Sequence, residues 1–195
     1  VLNGRRSEPL EETAALIAEE GGTSHVLAAD VSSVDQIVQL IESVSKTYGR
    51  LDILVNNAGI NRCKLLPDIG EEDWDAQFAV NLKGPFFLAQ KALPLLAQSN
   101  GVIVNIASVS AQTTHPWTIV YNITKAGLVH MTKCLAQSAA PHGVRVVSVS
   151  PAMVDTPIHY RDQPESTARE QIKEAAKDYP LKRIGSPEEV ASCVT

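Results

Sequence analysis

The chain has 195 residues, of which 44% are hydrophobic and 20% charged, with a formal net charge of −5. This is globular composition, enough for a single domain over residues 1–195 with a substantial core. The acidic balance and the lack of a basic stripe argue against nucleic acid; no apolar run approaches the roughly 20 residues of a membrane helix; and Cys63, Cys134 and Cys193 are too scattered for a disulfide framework or a zinc site, so no metal is expected. A reducing compartment fits best. The cytoplasm is expected, with mitochondria left open because the chain opens on Val1, where an N-terminal address would not be visible.

The first strand is expected to stop at Asn3-Gly4-Arg5-Arg6, with a helix beginning near Arg6. His25–Val31, "HVLAADV", is a short apolar run and a strand candidate. In the next stretch Val34, Ile37, Ile41, Val44 and Tyr48 recur at helical spacing. "LDILVNNAG" then reads as a buried strand opening into a turn. A long helical pattern covers about Glu71 to Ser99, with Trp74, Phe78, Leu82 and Leu88 apolar, and Pro85 within it predicts a kink or break. "GVIVNIAS" is β-rich. A helix containing Tyr121 and Lys125 is expected to run to about Ala140, and "VRVVSVSPA" is the next strand. Asp155 to Tyr179 is polar and Pro-containing, a loop with helical pieces. "GSPEEVASCV" opens a last helix, with Ser186 as cap, Pro187 at the first helical position and Glu189 three after the cap.

Alternating strands and helices imply an α/β fold, a doubly wound parallel sheet with helices on both faces. Ligands of such sheets bind beyond the carboxyl ends of the strands. Those ends are Asn3 to Arg6, Asp30, Asn56 to Gly59, Ser108 and Pro151-Ala152. Small and polar residues there are also what any turn needs. A tyrosine and a lysine four apart, as Tyr121 and Lys125 are, occur by chance in many helices; the sharper alternative is that the lysine tunes the phenol. A phenol near pKa 10 is a poor acid at neutral pH. An ammonium about 4 Å from a phenolate, at an effective dielectric near 20, stabilises the anion by roughly 4 kcal/mol. That equals about three pH units and would bring Tyr121 toward 7, where general acid–base catalysis is efficient.

Twelve residues separate Ser108 from Tyr121, and three separate Tyr121 from Lys125. With Asp30-Val31, Asn56-Asn57-Ala58-Gly59, Asn81, Pro151 and Thr156, in this order and spacing, the chain resembles the short-chain dehydrogenase/reductase family. The match spans nearly its whole length. The resemblance implies a Rossmann-like fold and an oxidoreductase interconverting a secondary alcohol and a ketone. It gives Tyr121 the proton, Ser108 the substrate oxygen, and Lys125 the nicotinamide ribose. It gives Asn81 a water linking Lys125 to solvent. Asp30 and Val31 would border the adenine, with Asp30 bonding its amino group. Asn57, Ala58 and Gly59 would pass close to the cofactor, and Pro151, Ala152 and Thr156 would cover the nicotinamide amide. Ala152 departs from the glycine usual there, and its methyl group would crowd the ring. His115, Trp117 and Met153 are substrate-pocket candidates, with ordinary packing an equal alternative for His115 and Trp117. Ser108 also reads as a turn or cap serine, and Asn81 as relief of a helix kink.

"NGRR" bears on the cofactor. An acidic residue at this strand end would bond the ribose 2′-hydroxyl of NAD. Gly4 stands there instead, followed by Arg5 and Arg6, whose guanidinium groups suit a 2′-phosphate. NADP is therefore expected over NAD, with Arg6 alternatively a solvated charge. "PLKRIGSPEEVA" is similar to the end of the substrate loop in carbonyl and 3-oxoacyl reductases. The family's first strand and its Gly-rich turn do not precede Val1, and its last strand does not follow Thr195, so the domain is expected to be incomplete at both ends. An internal portion of a longer chain is the expectation, and a truncated, catalytically silent scaffold the alternative. The expected partners are a small carbonyl or alcohol substrate and further copies of the chain, as a tetramer or dimer.

Overall fold

The computed structural model describes residues 1–159 and 164–194. Its strands are short and all parallel. β1 (Leu2–Gly4) pairs with β2 (Val26–Ala28), Leu2 opposite Val26. β3 (Ile53–Asn56), β4 (Val102–Ile106) and β5 (Arg145–Val149) form a second sheet in that order, with Asn56 opposite Asn105 and Asn105 opposite Ser148. The helices are α1 (Ser7–Glu19), α2 (Val34–Tyr48), α3 (Glu71–Phe78), α4 (Gly84–Ser99), α5 (Ile119–Ala139), α6 (Glu165–Ala176) and α7 (Pro187–Ala191).

Helices lie on both faces of the β1–β2 pair. Leu10 of α1 packs where a side chain on Gly4 would point. Leu27, on the opposite face, joins a core of Ala29, Val31, Ile37, Leu40 and Leu88. A second core, built from Ala89, Ala92 and Leu96 of α4, Ile103 of β4, Ala139 of α5 and Val146 of β5, holds α4 and α5 on one face of the other sheet. Residues two apart on a strand share a face. Leu54, Ile103 and Val146 turn inward, while Ile53, Val55 and Val147 on the other face are exposed.

The helical periodicities hold, and so do their ends. α2 starts at Ser33, whose hydroxyl accepts the Gln36 N–H, and stops at Gly49, whose φ of 67° is left-handed. Ser186 and Glu189 cap α7 reciprocally, as their spacing predicts. The long pattern from Glu71 to Ser99 is divided, and the break lies ahead of Pro85. Ala79–Lys83 forms a π turn between α3 and α4, and Pro85 sits harmlessly in the first turn of α4. Gly84 follows the π turn because a Cβ there would stand 2.6 Å from the Val31 carbonyl oxygen. The expected loop from Asp155 to Tyr179 contains one full helix, α6, anchored by buried Ala168 and Ile172. Its residues 160–163 lie outside the described residues. No helix among the described residues is long and apolar enough to cross a membrane.

Candidate active site

Ser108 follows β4 at once. Its extended backbone (φ −170°, ψ 156°) caps a short 3-10 turn, Val109–Ala111, with the hydroxyl accepting the Ser110 N–H at 3.1 Å. The segment is tied to the end of β5, because Ala107 N–H donates to Val149 O (2.7 Å) and Val109 N–H to Pro151 O (2.9 Å). Tyr121 and Lys125 lie in the first two turns of α5, one turn apart on one face. Lys125 Nζ stands 5.5 Å from the centre of the Tyr121 ring and donates to the Ile106 carbonyl at 2.7 Å. Asn81 lies in the π turn and is 1% exposed. A Cβ placed on Gly59 would lie 3.6 Å from Asn81 Oδ1 and 3.7 Å from Lys125 Nζ, so these three residues share one corner. The structural readings hold for both: Ser108 caps a turn, and Asn81 lies where the helix is interrupted.

Burial sets the electrostatics here. The phenol of Tyr121 is pushed above its ordinary value by desolvation, against which a hydrogen bond from Ser108 acts; Cys63 nearby pushes it further up. This differs from the expectation that Lys125 brings the phenol toward 7. The ammonium sits over the ring, tied to Ile106, and is itself buried, which lowers Lys125 to about 8. In the protein alone Tyr121 is therefore a protonated phenol at neutral pH.

A second polar layer supports this one. Asn81 Nδ2 donates to Thr124 Oγ1 (3.1 Å), which donates to the Tyr121 carbonyl (2.8 Å). Asn56 Nδ2 donates to Asn105 Oδ1 (2.8 Å), and Asn105 Nδ2 donates to Thr132 Oγ1 (2.9 Å) on α5. Asn105 and Thr124 are wholly buried. Thr124, Asn105 and Thr132 were not legible as site residues, since each looks like an ordinary polar residue in a strand or helix.

The remaining candidates occupy the strand ends. Arg5 Nη1 lies 3.9 Å from Asp30 Oδ2, and Asp30 Oδ1 accepts the Ser32 N–H at 2.9 Å. Arg6 is exposed at the N-cap of α1. Val31 is buried in the core, while Asn57 and Ala58 are exposed beyond β3. Pro151 and Ala152 follow β5; Met153 accepts the Gly185 N–H at 2.9 Å; and Thr156 Oγ1 donates to Val154 O at 3.5 Å. His115 stacks on Trp117, centroids 5.3 Å apart, and lines an apolar depression with Thr114, Pro116, Ile119, Asn122 and Ile123. Tyr121 is not among its lining residues. Among the described residues no cluster of His, Cys, Asp and Glu could hold a metal ion.

A family model described as enoyl-(acyl carrier protein) reductase matches residues 1–195. The chain belongs to the short-chain dehydrogenase/reductase family. The 3-oxoacyl-(acyl-carrier-protein) reductase of Thermotoga maritima is 38% identical, covering 100% of this chain and 87% of its own. Glucose 1-dehydrogenase 2 of Bacillus subtilis is 34% identical over 93% of this chain and 70% of its own. The crystal structure of a gluconate 5-dehydrogenase from Burkholderia cenocepacia, in complex with NADP and tartrate, superposes with a TM-score of 0.88 at 27% identity, over 99% of this chain and 75% of that one. As a short-chain dehydrogenase/reductase the chain is an NAD(P)-dependent oxidoreductase acting on CH–OH and C=O groups.

Proposed function

We propose that the protein is an NADP-dependent reductase of ketones, of the carbonyl or 3-oxoacyl type, working through Ser108, Tyr121, Lys125 and Asn81. The observation that carries this reading is the convergence of these four side chains at the carboxyl end of β4, with Tyr121 half-buried and desolvation raising its phenol above the ordinary value. The donor set suits the cofactor. Asp30 keeps acceptor capacity for an adenine amino group, and Arg5 and Arg6 offer two guanidinium forks for a 2′-phosphate at the start of a 13-residue helix. Gly59, Pro151, Ala152 and Thr156 border the nicotinamide end. Bound NADPH supplies the hydride that adds to the carbonyl carbon.

The protein's own residues handle the oxygen and the proton. Ser108 donates a hydrogen bond to the carbonyl oxygen, which strengthens as negative charge develops there. Tyr121 transfers its proton to that oxygen. Lys125, held by Ile106 O against the phenol ring, stabilises the phenolate left behind and begins its reprotonation. Asn81, beside Lys125, keeps Ile60 and Thr124 in place and suits a water-linked relay to solvent. Trp117 and Met153 border the substrate. The resemblance of the Pro180–Ala191 segment to 3-oxoacyl reductases, together with the Thermotoga maritima relative, favours 3-oxo substrates.

The exposed apolar side chains Trp74, Phe86 and Ile123 on α3, α4 and α5 support assembly through these helices. Light scattering should give a dimer or tetramer mass; a one-chain mass would overturn that part. The central test is a panel of ketones, 3-oxo esters and matching secondary alcohols, assayed with both cofactors. Reduction of 3-oxo esters with NADPH, at higher kcat/KM than with NADH, is expected. Turnover only with NADH, or none with any carbonyl, would refute the reading.

A further inference from the structure

Three buried polar side chains stand four apart along α3 and the π turn that continues it. Asp73 is 6% exposed, Gln77 wholly buried and Asn81 1% exposed. Together they hold the strip that leaves the Asn56–Gly59 turn at Ile60, Arg62 and Lys64, two residues apart. Asn81 Oδ1 accepts the Ile60 N–H at 2.9 Å and its Nδ2 donates to Ile60 O at 2.9 Å. Gln77 Oε1 accepts the Arg62 N–H at 3.3 Å. Asp73 accepts from Lys64 Nζ at 2.7 Å and Arg62 Nη1 at 3.3 Å. It also accepts the Gly70 N–H at 3.0 Å, which fixes the carboxylate at the head of its own helix.

Cys63, which is exposed, stands between Arg62 and Lys64 on this strip. Cys63 lies near enough to Tyr121 to interact with it electrostatically. At its far end the strip reaches the segment between Ser108 and Tyr121, where the Lys64 N–H donates to the Trp117 carbonyl at 2.9 Å. We propose that Asp73 is a positioning residue: with Gln77 and Asn81 it forms a buried polar ladder that fixes Ile60–Lys64 as a wall of the substrate site beside Tyr121. The ladder thereby sets the fit of the carbonyl substrate. Lys64 holds the Asp73 carboxyl down at about 2, so the ladder keeps its charge across the neutral range.

The role in substrate fit rests on the reaction proposed above; the ladder itself does not. Asp73→Asn keeps the shape and removes the charge, and Lys64→Met removes only the half-exposed partner. Both are measured in the full protein with ethyl acetoacetate as substrate. Hydrogen exchange of the Ile60 and Arg62 amides, which the ladder accepts, is followed in the same variants. The KM for the 3-oxo ester should rise about three- to tenfold in each variant, with kcat and the NADPH dissociation constant within about twofold. The double variant should be no worse than the worse single one. Exchange of these two amides should accelerate at least about fivefold in each. If Asp73→Asn fails to fold, Lys64→Met alone decides. A lowered melting temperature with unchanged KM and exchange rates in the folded variants would overturn the proposal. Absence of wild-type turnover would sink the reaction instead, and equal exchange rates would then still refute the ladder.

Discussion

At the carboxyl end of β4, Asn81, Asn105, Thr124 and Thr132 are nearly inaccessible, and each is bonded to another side chain or to a carbonyl. At the carboxyl end of β1, the Arg5 side chain is 63% exposed and reaches Asp30 across 3.9 Å. Both regions carry polar groups proposed to be functional, but they hold them differently. A buried amide without its partner bears the full cost of desolvation, so the first region has one arrangement. An exposed ion pair contributes little and rearranges freely. The proposed chemistry falls in the region that cannot shift, and the proposed choice between two cofactors falls where a single substitution costs little stability.

Substitutions that break this contrast should grade accordingly. Tyr121→Phe should lower turnover about a hundred- to ten-thousandfold, with the NADPH dissociation constant nearly unchanged; steady-state rates and a fluorescence titration check both halves. Asn105→Ala should cost about 2–3 kcal/mol in urea unfolding, because it strands the Asn56 amide and frees Thr132 inside the core. Arg5→Gln should raise the KM for NADPH about tenfold and leave that for NADH within about twofold. Arg183→Ala removes an exposed pair with Glu189 at 2.6 Å and should move the melting temperature by less than about 2 °C.

The same contrast explains what could be read from the chain. Tyr121 and Lys125 are legible because their relation is local, one helical turn, and the cap of α7 is legible because Ser186 and Glu189 are three apart. The π turn is not, since it depends on Asn81 reaching Ile60, 21 positions away, and Thr124, 43 away. Pro85, the visible irregularity, therefore drew the break too far along the chain. α6 is obscured by its polarity, with Ala168 and Ile172 as its buried side chains. Asp73 and Gln77 resemble any polar pair on a surface helix, and their spacing from Asn81 gains meaning only once the strip at Ile60–Lys64 lies across them. Charge proximity alone also misjudged the phenol. Spacing brings Lys125 near Tyr121, but desolvation of each decides the direction in which it titrates.

That direction is the point on which the account turns: Tyr121 meets a carbonyl as an un-ionised acid. Ultraviolet difference titration of the wild-type protein against Tyr121→Phe, without cofactor, isolates this one phenol. A midpoint above the value of about 10 for ordinary tyrosine is predicted, moving down when NADP is added. A midpoint below about 8 in the protein alone would mean that the phenolate already exists there, and would contradict the account.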